Sequence, residues 1–234
     1  MKILIACEYS GRVRDAFISK GHDVISCDFE PTDRPGPHYQ GDVFDIINDG
    51  FDLMIAHPPC TFLTGAAEWA FADVPMIKGK PRNIKQGTLI GKARWKARIE
   101  AAMFVDKLFK APIKRKVIEN PVGLINKLLP HMPKPQYIQQ YWFGEDASKK
   151  TGLWLHGLPR LTKTNEIDPR LVCCGEVVTD RYGCPNCLGD KPPLKRWGNQ
   201  TNSGQNKLPP SADRWKIRST TPQGIADAMA EKWG

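Results

Sequence analysis

Residues 1–28 read MKILIACEYSGRVRDAFISKGHDVISCD, and their pattern is the most informative about the fold class. A short apolar run over 2–7 predicts a strand, and a polar turn separates it from a helix predicted over about 12–20. Gly21 suits the left-handed position that follows many helix ends. A second apolar run over 23–27 predicts another strand, so the chain opens with a strand–helix–strand unit.

The same alternation continues along the chain. Apolar runs predict strands over 51–56 and 116–118, with an amphipathic helix over 94–110 between them. Strands that alternate with helices indicate an α/β fold with a doubly wound, mainly parallel sheet. Ligands of such sheets bind beyond the carboxyl ends of the strands. The helix has apolar positions at four-residue steps, and chemically useful side chains follow the strands: Trp95, Ile99 and Met103 for the helix, and Tyr9, Asp28, Cys60 and Glu119 for the strand ends.

Composition divides the chain into three parts. Residues 1–155 carry the strand and helix signals of the main domain. Residues 156–216 are rich in proline and glycine and poor in large apolar side chains, so we predict a small irregular recognition segment that needs a staple to fold. Residues 217–234 contain Thr221-Pro222, a typical helix start. The apolar positions that would pack this last helix on the main domain are Ile225, Met229 and Trp233.

Charge and hydropathy narrow the classes of protein. The 34 Lys and Arg against 25 Asp and Glu give a net charge of +9, which makes a polyanion a natural partner. Apolar residues at 41% are typical of a globular chain. No window approaches the ~18 apolar residues of a membrane span, and the N-terminal run meets charged residues too early for a secretory signal. We expect a cytoplasmic protein with no membrane partner that folds without an oligomer.

The seven cysteines are an odd number, so they cannot all form disulfides, and we expect reduced thiols. The segment Cys184-Pro185-Asn186-Cys187 has the spacing of half a zinc site. The adjacent pair Cys173-Cys174 is an unusual other half: either both thiols bind, or one binds together with His156 or another ligand. A bound ion would supply folding energy that this segment lacks. A redox pair and unliganded thiols are the alternatives. We predict structural zinc, with the ligands Cys173, Cys174, Cys184 and Cys187.

Two strand ends carry side chains that could do chemistry together. Cys60 follows Pro58-Pro59, which hold it on a rigid turn, although a small buried hydrophobe is the plainer interpretation. Glu119 opens the turn Glu119-Asn120-Pro121 and by itself could be a solvated acid. On neighbouring strand ends, a thiol and a carboxyl group would form a nucleophile and a general acid.

At these residues the sequence resembles the DNA cytosine-5 methyltransferase family. Pro58-Pro59-Cys60 looks like the Pro-Cys nucleophile motif of that family, and Glu119-Asn120-Pro121 looks like its Glu-Asn-Val motif. The turn Cys7-Glu8-Tyr9-Ser10-Gly11 is similar to its S-adenosylmethionine loop. Asp28, 17 residues after Gly11, resembles the acid that binds the ribose, and Asp42 the residue that contacts the adenine. The resemblance covers residues 1–155 and the last 20, where Thr221-Pro222-Gln223-Gly224-Ile225-Ala226 resembles the last cofactor-side helix.

The sequence departs from the family pattern at several positions. Thr61 stands where the family has glutamine, Pro121 where it has valine, and His57 where a small residue is common. There is no clean Gln-x-Arg-x-Arg element, and Ser148-Lys149-Lys150-Thr151 is the nearest candidate.

The resemblance implies a Rossmann-like S-adenosylmethionine-dependent methyltransferase fold, with residues 1–155 as the catalytic and cofactor-binding domain. It implies methyl transfer to carbon 5 of cytosine in DNA through a covalent adduct of Cys60. Glu119 would donate a proton or hydrogen bond to N3, Asn120 would hold the Glu119 loop, and the cytosine must be flipped out or single-stranded. The cofactor-binding residues so implied are Cys7, Glu8, Tyr9, Ser10, Gly11, Asp28, Asp42 and Pro59.

A basic run follows the predicted nucleophile. No acidic residue lies between Val74 and Ile99, and a solvated face is the plain explanation of such a run. We predict instead a mobile loop that closes over DNA and contacts phosphates. The tripeptides Lys195-Arg196-Trp197 and Arg214-Trp215-Lys216 are candidates for stacking on bases or for packing at the core edge. The predicted nucleic-acid-binding residues are Lys78, Lys80, Arg82, Lys85, Lys92, Arg94, Lys149 and Lys150.

Other functions remain open on the sequence alone. A related methyltransferase could act on RNA, a free nucleotide or an exocyclic amino group, or could use another donor. A protein of a different class could bind DNA with this fold and catalyse no turnover.

Overall fold

A computed structural model describes residues 1–178 and 192–234 of the chain. The strands are β1 (Lys2–Ala6), β2 (Asp23–Asp28), β3 (His38–Gln40), β4 (Leu53–Ala56), β5 (Met76–Ile77), β6 (Lys80–Pro81), β7 (Arg115–Pro121), β8 (Gln136–Gln139), β9 (Lys150–His156), β10 (Arg170–Cys173), β11 (Glu176–Val178) and β12 (Leu194–Arg196). The α-helices are α1 (Arg12–Ile18), α2 (Val43–Ile46), α3 (Gly91–Lys110), α4 (Ile125–Leu128), α5 (Arg214–Ser219) and α6 (Gln223–Trp233), with short 3₁₀ turns over Glu68–Phe71 and Gln140–Trp142.

A seven-stranded sheet, formed within these described ranges, has the order β3-β2-β1-β4-β7-β9-β8. The strands from β3 to β7 are parallel, whereas β9 runs antiparallel to both of its neighbours, β7 and β8. The sheet order reverses at β1, since the chain first builds outward to β3 and then crosses to β4. The predicted fold class is confirmed: this is a mixed α/β, Rossmann-like fold with a mostly parallel central sheet.

The sheet is covered on both faces, and the strand sequences explain why. Residues 3–6 of β1 and 53–56 of β4 are apolar throughout and fully buried, as expected for parallel strands between two helical layers. On one face Ile3 and Ile5 pack with Phe17 of α1 and with α6. On the other face the apolar side chains of β1 and β4 pack with α3.

The last helix returns to the main domain. Ile225, Met229 and Trp233 of α6 are buried against the same core as α1. The indole Nε1 of Trp233 donates a hydrogen bond to the carbonyl of Pro159 over 2.9 Å. The first and last helices of the described chain therefore form one layer of the fold.

The predicted buried face of α3 is wrong. Trp95, Ile99 and Met103 are 47%, 55% and 59% exposed. The buried face instead includes Arg94 and Arg98, whose guanidinium groups lie over the ring of Phe71 at 4.9 and 3.6 Å. An arginine can be buried when its charge is stacked and hydrogen-bonded, and apolar periodicity does not register such a residue.

The segment after β9 forms a small antiparallel sheet in the order β11-β10-β12. It contacts the main domain through Trp197, whose ring stacks on Tyr141 at 4.0 Å with an interplanar angle of 15°. The backbone N–H of Gly198 also donates to Asp146 over 2.7 Å. Trp197 of the sequence motif thus packs at the edge of the core, whereas Trp215 is 50% exposed. None of the described helices is long and apolar enough to cross a membrane.

Candidate active site

The sheet brings the predicted nucleophile and acid to neighbouring strands. β4 and β7 are parallel neighbours, and their ladder ends at the pair Ala56 and Ile118, so the turn after β4 lies beside Glu119 and Asn120. These two residues lie within β7 and pair with β9, not in the turn that the sequence predicts. The amide Nδ2 of Asn120 donates a hydrogen bond to the carbonyl of Pro58 over 2.8 Å and ties β7 to the turn after β4. This buried contact gives Asn120 the loop-holding position that the resemblance implies.

Glu119 is a buried carboxylate with a histidine beside it. Its Oε2 lies 3.2 Å from Nδ1 of His57, and its side chain is 17% exposed. Burial alone would raise the pKa of Glu119, but the hydrogen bond and charge of His57, together with Lys149 and Thr151, hold that pKa below its ordinary value. Glu119 is therefore an ionised carboxylate in this arrangement.

Cys60 lies on the turn that follows β4. Its side chain is half-buried, and its carbonyl accepts a hydrogen bond from the N–H of Leu63 over 3.0 Å. The next residues are held by Arg98, whose guanidinium donates to the carbonyls of Phe62 and Thr64 over 2.9 and 3.2 Å. A half-buried thiol on a fixed turn is reachable by a substrate, as a nucleophile has to be.

A cavity of about 340 Å³ lies beside this turn, at the ends of β1, β2 and β4. Its volume is within the range of small-molecule sites, and its walls are mainly apolar with three carboxylates. Four predicted cofactor residues line it, namely Cys7, Asp28, Asp42 and Pro59. The other lining residues are Cys27, Phe29, Gly41, Val43, Glu100, Ala101 and Phe104.

None of these seven residues is assigned to the site from the sequence. Phe29 directly follows Asp28 at the end of β2, so its position in the sequence was a signal that could have placed it at the cavity; its side chain is 70% exposed. Glu100 and Phe104 come from α3, and their position depends on the rotation of that helix, which its apolar pattern mispredicts.

Two of the three carboxylates that line the cavity, Asp28 and Asp42, were predicted as cofactor contacts, and they are placed differently. Asp28 ends β2, and its Oδ1 accepts the N–H of Glu30 over 3.0 Å. Burial raises the pKa of Asp28, more than its backbone hydrogen bonds lower it. Asp42 is the N-cap of α2, with Oδ1 accepting the N–H of Phe44 over 3.0 Å. Each carboxyl group therefore has one oxygen committed to the backbone.

The polar turn after β1 is built around α1. The buried Glu8 carboxylate accepts the N–H groups of Val13 and Arg14 over 2.8 and 3.3 Å and the hydroxyl of Ser10 over 3.1 Å. It thus satisfies the free N–H groups at the start of the helix. Gly11 has φ +69°, which favours glycine. Glu8, Ser10 and Gly11 do not line the cavity, so any contact they make with a cofactor remains a prediction.

Tyr9 and Cys7 belong to this turn and contact different parts of the protein. The hydroxyl of Tyr9 donates to the carbonyl of Lys216 over 2.8 Å, and its ring lies 5.8 Å from Trp215, so it secures α5 rather than the cavity. Cys7 lines the cavity with a left-handed backbone at φ +57°. Burial, followed by the charge of Asp28, raises the pKa of the Cys7 thiol, so it is not a thiolate nucleophile.

The predicted phosphate contacts separate into two groups. Lys78, Lys80, Lys85 and Lys92 are exposed, with Lys78 and Gly79 forming the turn of the β5–β6 hairpin at φ +48° and +77°. The prediction for Arg94 conflicts with its 6% exposure, because its charge is stacked between Phe62 and Phe71.

The remaining predicted basic contacts are partly engaged by the protein. Arg82 lies over the ring of Trp69 at 4.2 Å. Lys149 donates to the carbonyl of Arg218 over 2.9 Å, and Lys150 lies over Tyr137 at 4.5 Å. Whether these side chains contact nucleic acid stays a prediction.

A second, polar cavity of about 10 Å³ lies on the Glu119 side of the site, enough for about one water molecule. It is too small for a nucleobase, so any base that reaches Glu119 needs this region to open. The lining residues are Glu119, Gln140, Lys149, Thr151, Ser219, Thr220, Thr221, Pro222 and Ile225.

The predicted zinc site falls partly outside the described residues. Cys184 and Cys187 lie in 179–191 and are not described. Cys173 ends β10 and Cys174 follows with φ +52°, and their sulfur atoms are 3.9 Å apart. Within 1–178 and 192–234 no group of three or more metal-binding side chains is found. Zinc binding stays a prediction.

Comparisons with known proteins add little. No family model and no curated protein matches the chain. The chain is similar to a crystal structure of a mutant of Spodoptera frugiperda DNMT2, at 14% identity and a TM-score of 0.35, over 71% of this chain and 54% of that chain. The chain thus spans about half the length of that protein. The function of the present chain therefore has to be inferred from its own side chains.

Proposed function

We propose that this protein is an S-adenosylmethionine-dependent methyltransferase that acts on carbon 5 of cytosine in DNA. One observation carries the proposal. A half-buried cysteine follows β4, and a glutamate whose pKa is held below its ordinary value lies on the neighbouring parallel strand β7, which Asn120 ties to the cysteine turn. Pro59, next to Cys60, lines a cavity of about 340 Å³.

The cavity suits the proposed donor. Phe29 presents an open aromatic face, and the oxygen of Asp28 not committed to Glu30 can accept hydrogen bonds from ribose hydroxyls. Asp42 can accept a hydrogen bond from the amino group of an adenine. S-adenosylmethionine bound there would supply an electrophilic methyl group close to the Cys60 turn.

The chemistry of cytosine explains why a thiol and a carboxyl group are needed. Carbon 5 is a poor nucleophile, and attack of the Cys60 thiolate on carbon 6 would build electron density at carbon 5. Glu119 would take up a proton from solvent when the base binds and donate it to N3, which becomes more basic as the sulfur–carbon bond forms. After carbon 5 has taken the methyl group, a water molecule would accept the carbon 5 proton, the carbon 5–carbon 6 double bond would re-form as Cys60 leaves as a thiolate, and N3 would return its proton to Glu119.

The wild-type protein should form a lasting covalent complex with DNA that contains 5-fluorocytosine, because fluorine cannot leave as the carbon 5 proton does. We expect Cys60→Ala to abolish both this complex and methyl transfer, since it lacks the thiol that attacks carbon 6. The covalent complex is measured by denaturing gel electrophoresis, with unmodified cytosine DNA as the control. Wild-type activity in Cys60→Ala would contradict the proposal.

The modified base is identified independently. The protein is incubated with DNA and labelled S-adenosylmethionine, and the DNA is digested to nucleosides. Label in 5-methyldeoxycytidine supports the proposal. Label in an N-methylated base would indicate an amino-group methyltransferase, and no label in DNA would favour a protein that binds without turnover or acts on RNA.

A further inference from the structure

Residues 199–207, which follow β12, form a hairpin with an amide or hydroxyl side chain at every position except Gly204 and Lys207. The N–H of Lys207 donates to the carbonyl of Asn199 over 2.9 Å and joins the two arms. Gly204 closes the turn with φ +90°, and its N–H donates to the carbonyl of Thr201 over 2.9 Å. We call this element the amide hairpin.

The start of the amide hairpin is fastened to the main domain. The side-chain Oδ1 of Asn199 accepts the N–H of Ser148 over 3.0 Å, and its Nδ2 donates to the carbonyl of the same residue over 3.1 Å. Ser148 directly precedes Lys149, which lines the small polar cavity together with Glu119. The amide hairpin is therefore anchored beside the Glu119 side of the candidate active site.

Two arginines of the small sheet hold the backbone of the amide hairpin. Arg170 of β10 donates to the carbonyl of Gln200, and Arg196 of β12 donates to the carbonyl of Asn202 over 3.1 Å. The guanidinium of Arg196 also lies so close to Gly204 that a Cβ atom there would be 3.0 Å from it. The turn is thus fixed in place against the sheet β11-β10-β12.

The outer side of the amide hairpin presents polar groups that the protein itself does not use. Gln205 and Asn206 are exposed. Within the part of the chain that the structure describes, the Gln205 amide makes no hydrogen bond, and Asn206 uses only its Oδ1, which accepts the N–H of Leu208 over 2.8 Å. A primary amide has two donor hydrogens and an acceptor oxygen. Gln205 therefore offers a donor and an acceptor to a ligand, and Asn206 offers a donor.

The segment that carries the amide hairpin has charges of one sign. Residues 192–212 contain Lys195, Arg196 and Lys207 and no acidic residue, and both lysines are exposed. In nucleic-acid complexes, cations contact phosphates and fix the position of the protein, whereas side chains that reach the base edges read the sequence. A surface that combines exposed cations with unused amides fits a nucleic acid.

The shape of the element indicates which nucleic acid fits it. The major groove of B-DNA is about 12 Å wide and admits a two-stranded ribbon, whose strands lie about 4.8 Å apart. The major groove of an RNA duplex is deep and narrow, so side chains cannot read it. In the major groove of DNA, a glutamine amide pairs with adenine, because it can donate to N7 and accept from the N6 amino group.

We propose that the amide hairpin enters the major groove of duplex DNA beside the target cytosine. Gln205 reads an adenine through its N6 and N7 atoms, and Asn206 donates to the edge of a second base. Lys195 and Lys207 contact the phosphates on either side. This inference rests on the proposed function for the identity of the target base, whereas the reading of DNA by the amide hairpin does not depend on catalysis.

A binding selection tests the reading without any methyl transfer. The full chain is incubated with a pool of randomised DNA duplexes, and the bound duplexes are recovered and sequenced. We expect the wild-type protein to enrich a motif that contains adenine. Gln205→Ala should lose the preference at that position and bind the enriched duplex roughly 5- to 100-fold more weakly.

The matched control for this selection is Asn48→Ala, which removes an exposed amide outside the hairpin and should keep both the motif and the affinity. Identical motifs from the wild-type protein and Gln205→Ala would overturn the proposal. The absence of any motif in the wild-type selection would overturn it as well.

Salt dependence separates the phosphate contacts from the base contacts. Lys207→Gln should weaken binding by a similar factor on every duplex, reduce the slope of log K against log salt by about 0.9, and leave the motif unchanged. Gln205→Ala should leave the slope unchanged, since it removes no charge. A slope that falls in Gln205→Ala as it does in Lys207→Gln would refute the base contact.

The contact with N7 has its own test. Replacing the motif adenine by 7-deazaadenine removes the N7 acceptor and keeps the N6 amino group and the base pair. This change should weaken binding of the wild-type protein by about fivefold or more and leave binding of Gln205→Ala unaltered. Equal losses in the two proteins would contradict the assignment.

These outcomes are distinguishable from failure of the proposed function. If the motif depends on Gln205 but no cytosine of the bound duplex is methylated, the amide hairpin stands and the proposed reaction is wrong. If carbon 5 of cytosine is methylated but no base preference depends on Gln205, the proposed reaction stands and the reading by the amide hairpin is wrong.

Discussion

Asp28 is the residue on which the donor part of the proposal can be tested by itself. It lies at the carboxyl end of β2, whereas Asp23 lies exposed at the opposite end of the same strand. Both residues are aspartates of β2, and of the two only Asp28 lines the cavity. Asp23→Ala is therefore a matched control.

We expect Asp28→Ala to weaken S-adenosylmethionine binding about 10- to 100-fold, since a hydrogen bond to a charged group contributes about 1.5–3 kcal/mol. Because burial raises the pKa of Asp28, wild-type affinity should fall with decreasing pH from above the ordinary aspartate value of about 3.9. Asp28→Ala should lose this pH dependence. Isothermal titration calorimetry measures both effects, and equal affinity of the Asp28 and Asp23 variants would contradict the assignment.

At the residue scale, the sequence predicts the side chains that lie next to a strand end and fails where a side chain arrives from elsewhere. Asp28, Pro59 and Cys60 lie at or just beyond strand ends, and Glu119 lies one residue past the last pair of the β4–β7 ladder, so their place at one edge of the parallel sheet could be inferred. The contact of His57 with Glu119 could not, because it joins residues 62 positions apart through the register of β4 and β7.

At the scale of elements, α3 shows why its rotation was mispredicted. The helix buries Arg94 and Arg98 because they fasten the loop after Cys60, and its apolar stripe consequently faces solvent. Arg98 donates to Phe62, Thr64 and Glu68, the last over 2.8 Å. Because arginines on the buried face of this helix bind a loop, its apolar residues do not mark the buried face, as they do in an ordinary amphipathic helix.

We expect Arg98→Ala to lower the free energy of unfolding by about 2–3 kcal/mol, because the half-buried carbonyls of Phe62 and Thr64 would lose their donor, at about 1 kcal/mol or more each. Amide protection of residues 62–68 in hydrogen–deuterium exchange should fall more than that of the central strands. Lys96→Ala, at an exposed position of the same helix, is the control and should leave both unchanged. Unaltered protection of 62–68 in Arg98→Ala would disprove the clamp.

The last helix is a second element with a clear test. Trp233 is fully buried, while its neighbour Lys232 is exposed. We expect Trp233→Ala to lower the free energy of unfolding by about 3–5 kcal/mol and Lys232→Ala to change it by less than about 0.5 kcal/mol. Urea unfolding followed by circular dichroism measures the difference, and similar midpoints for the two variants would refute the packing.

For the molecule as a whole, the excess of positive charge would attract a polyanion. The net charge is +9, and four predicted phosphate contacts on the segment after Cys60 are exposed. Their number could be read from the sequence, but their separation from the buried Arg94 and Arg98 could not, since all lie in one uninterrupted basic run.

Binding to DNA should therefore depend steeply on salt. If about five cations contact phosphates, log K falls with log salt at a slope near −4.5, and affinity drops roughly 10²- to 10³-fold between 50 and 200 mM. Replacing Lys78, Lys80 and Lys85 together by glutamine should reduce the slope by about 2.7. Lys163→Gln, in the segment beyond β9, is the control, and a flat salt response would eliminate the phosphate contacts.

The layer shared by α1 and α6 has a consequence for how the protein is made. Glu231 pairs with Lys20, and Arg115 donates to the carbonyl of Trp233 over 2.6 Å, so α6 completes the surroundings of residues much earlier in the chain. During translation, the apolar side of α1 has no cover until residues 223–233 have left the ribosome. The cavity-forming strands are synthesised early, yet the sheet that carries them is covered only once α6 has emerged, and a nascent chain stalled before that point would expose its apolar face to chaperones.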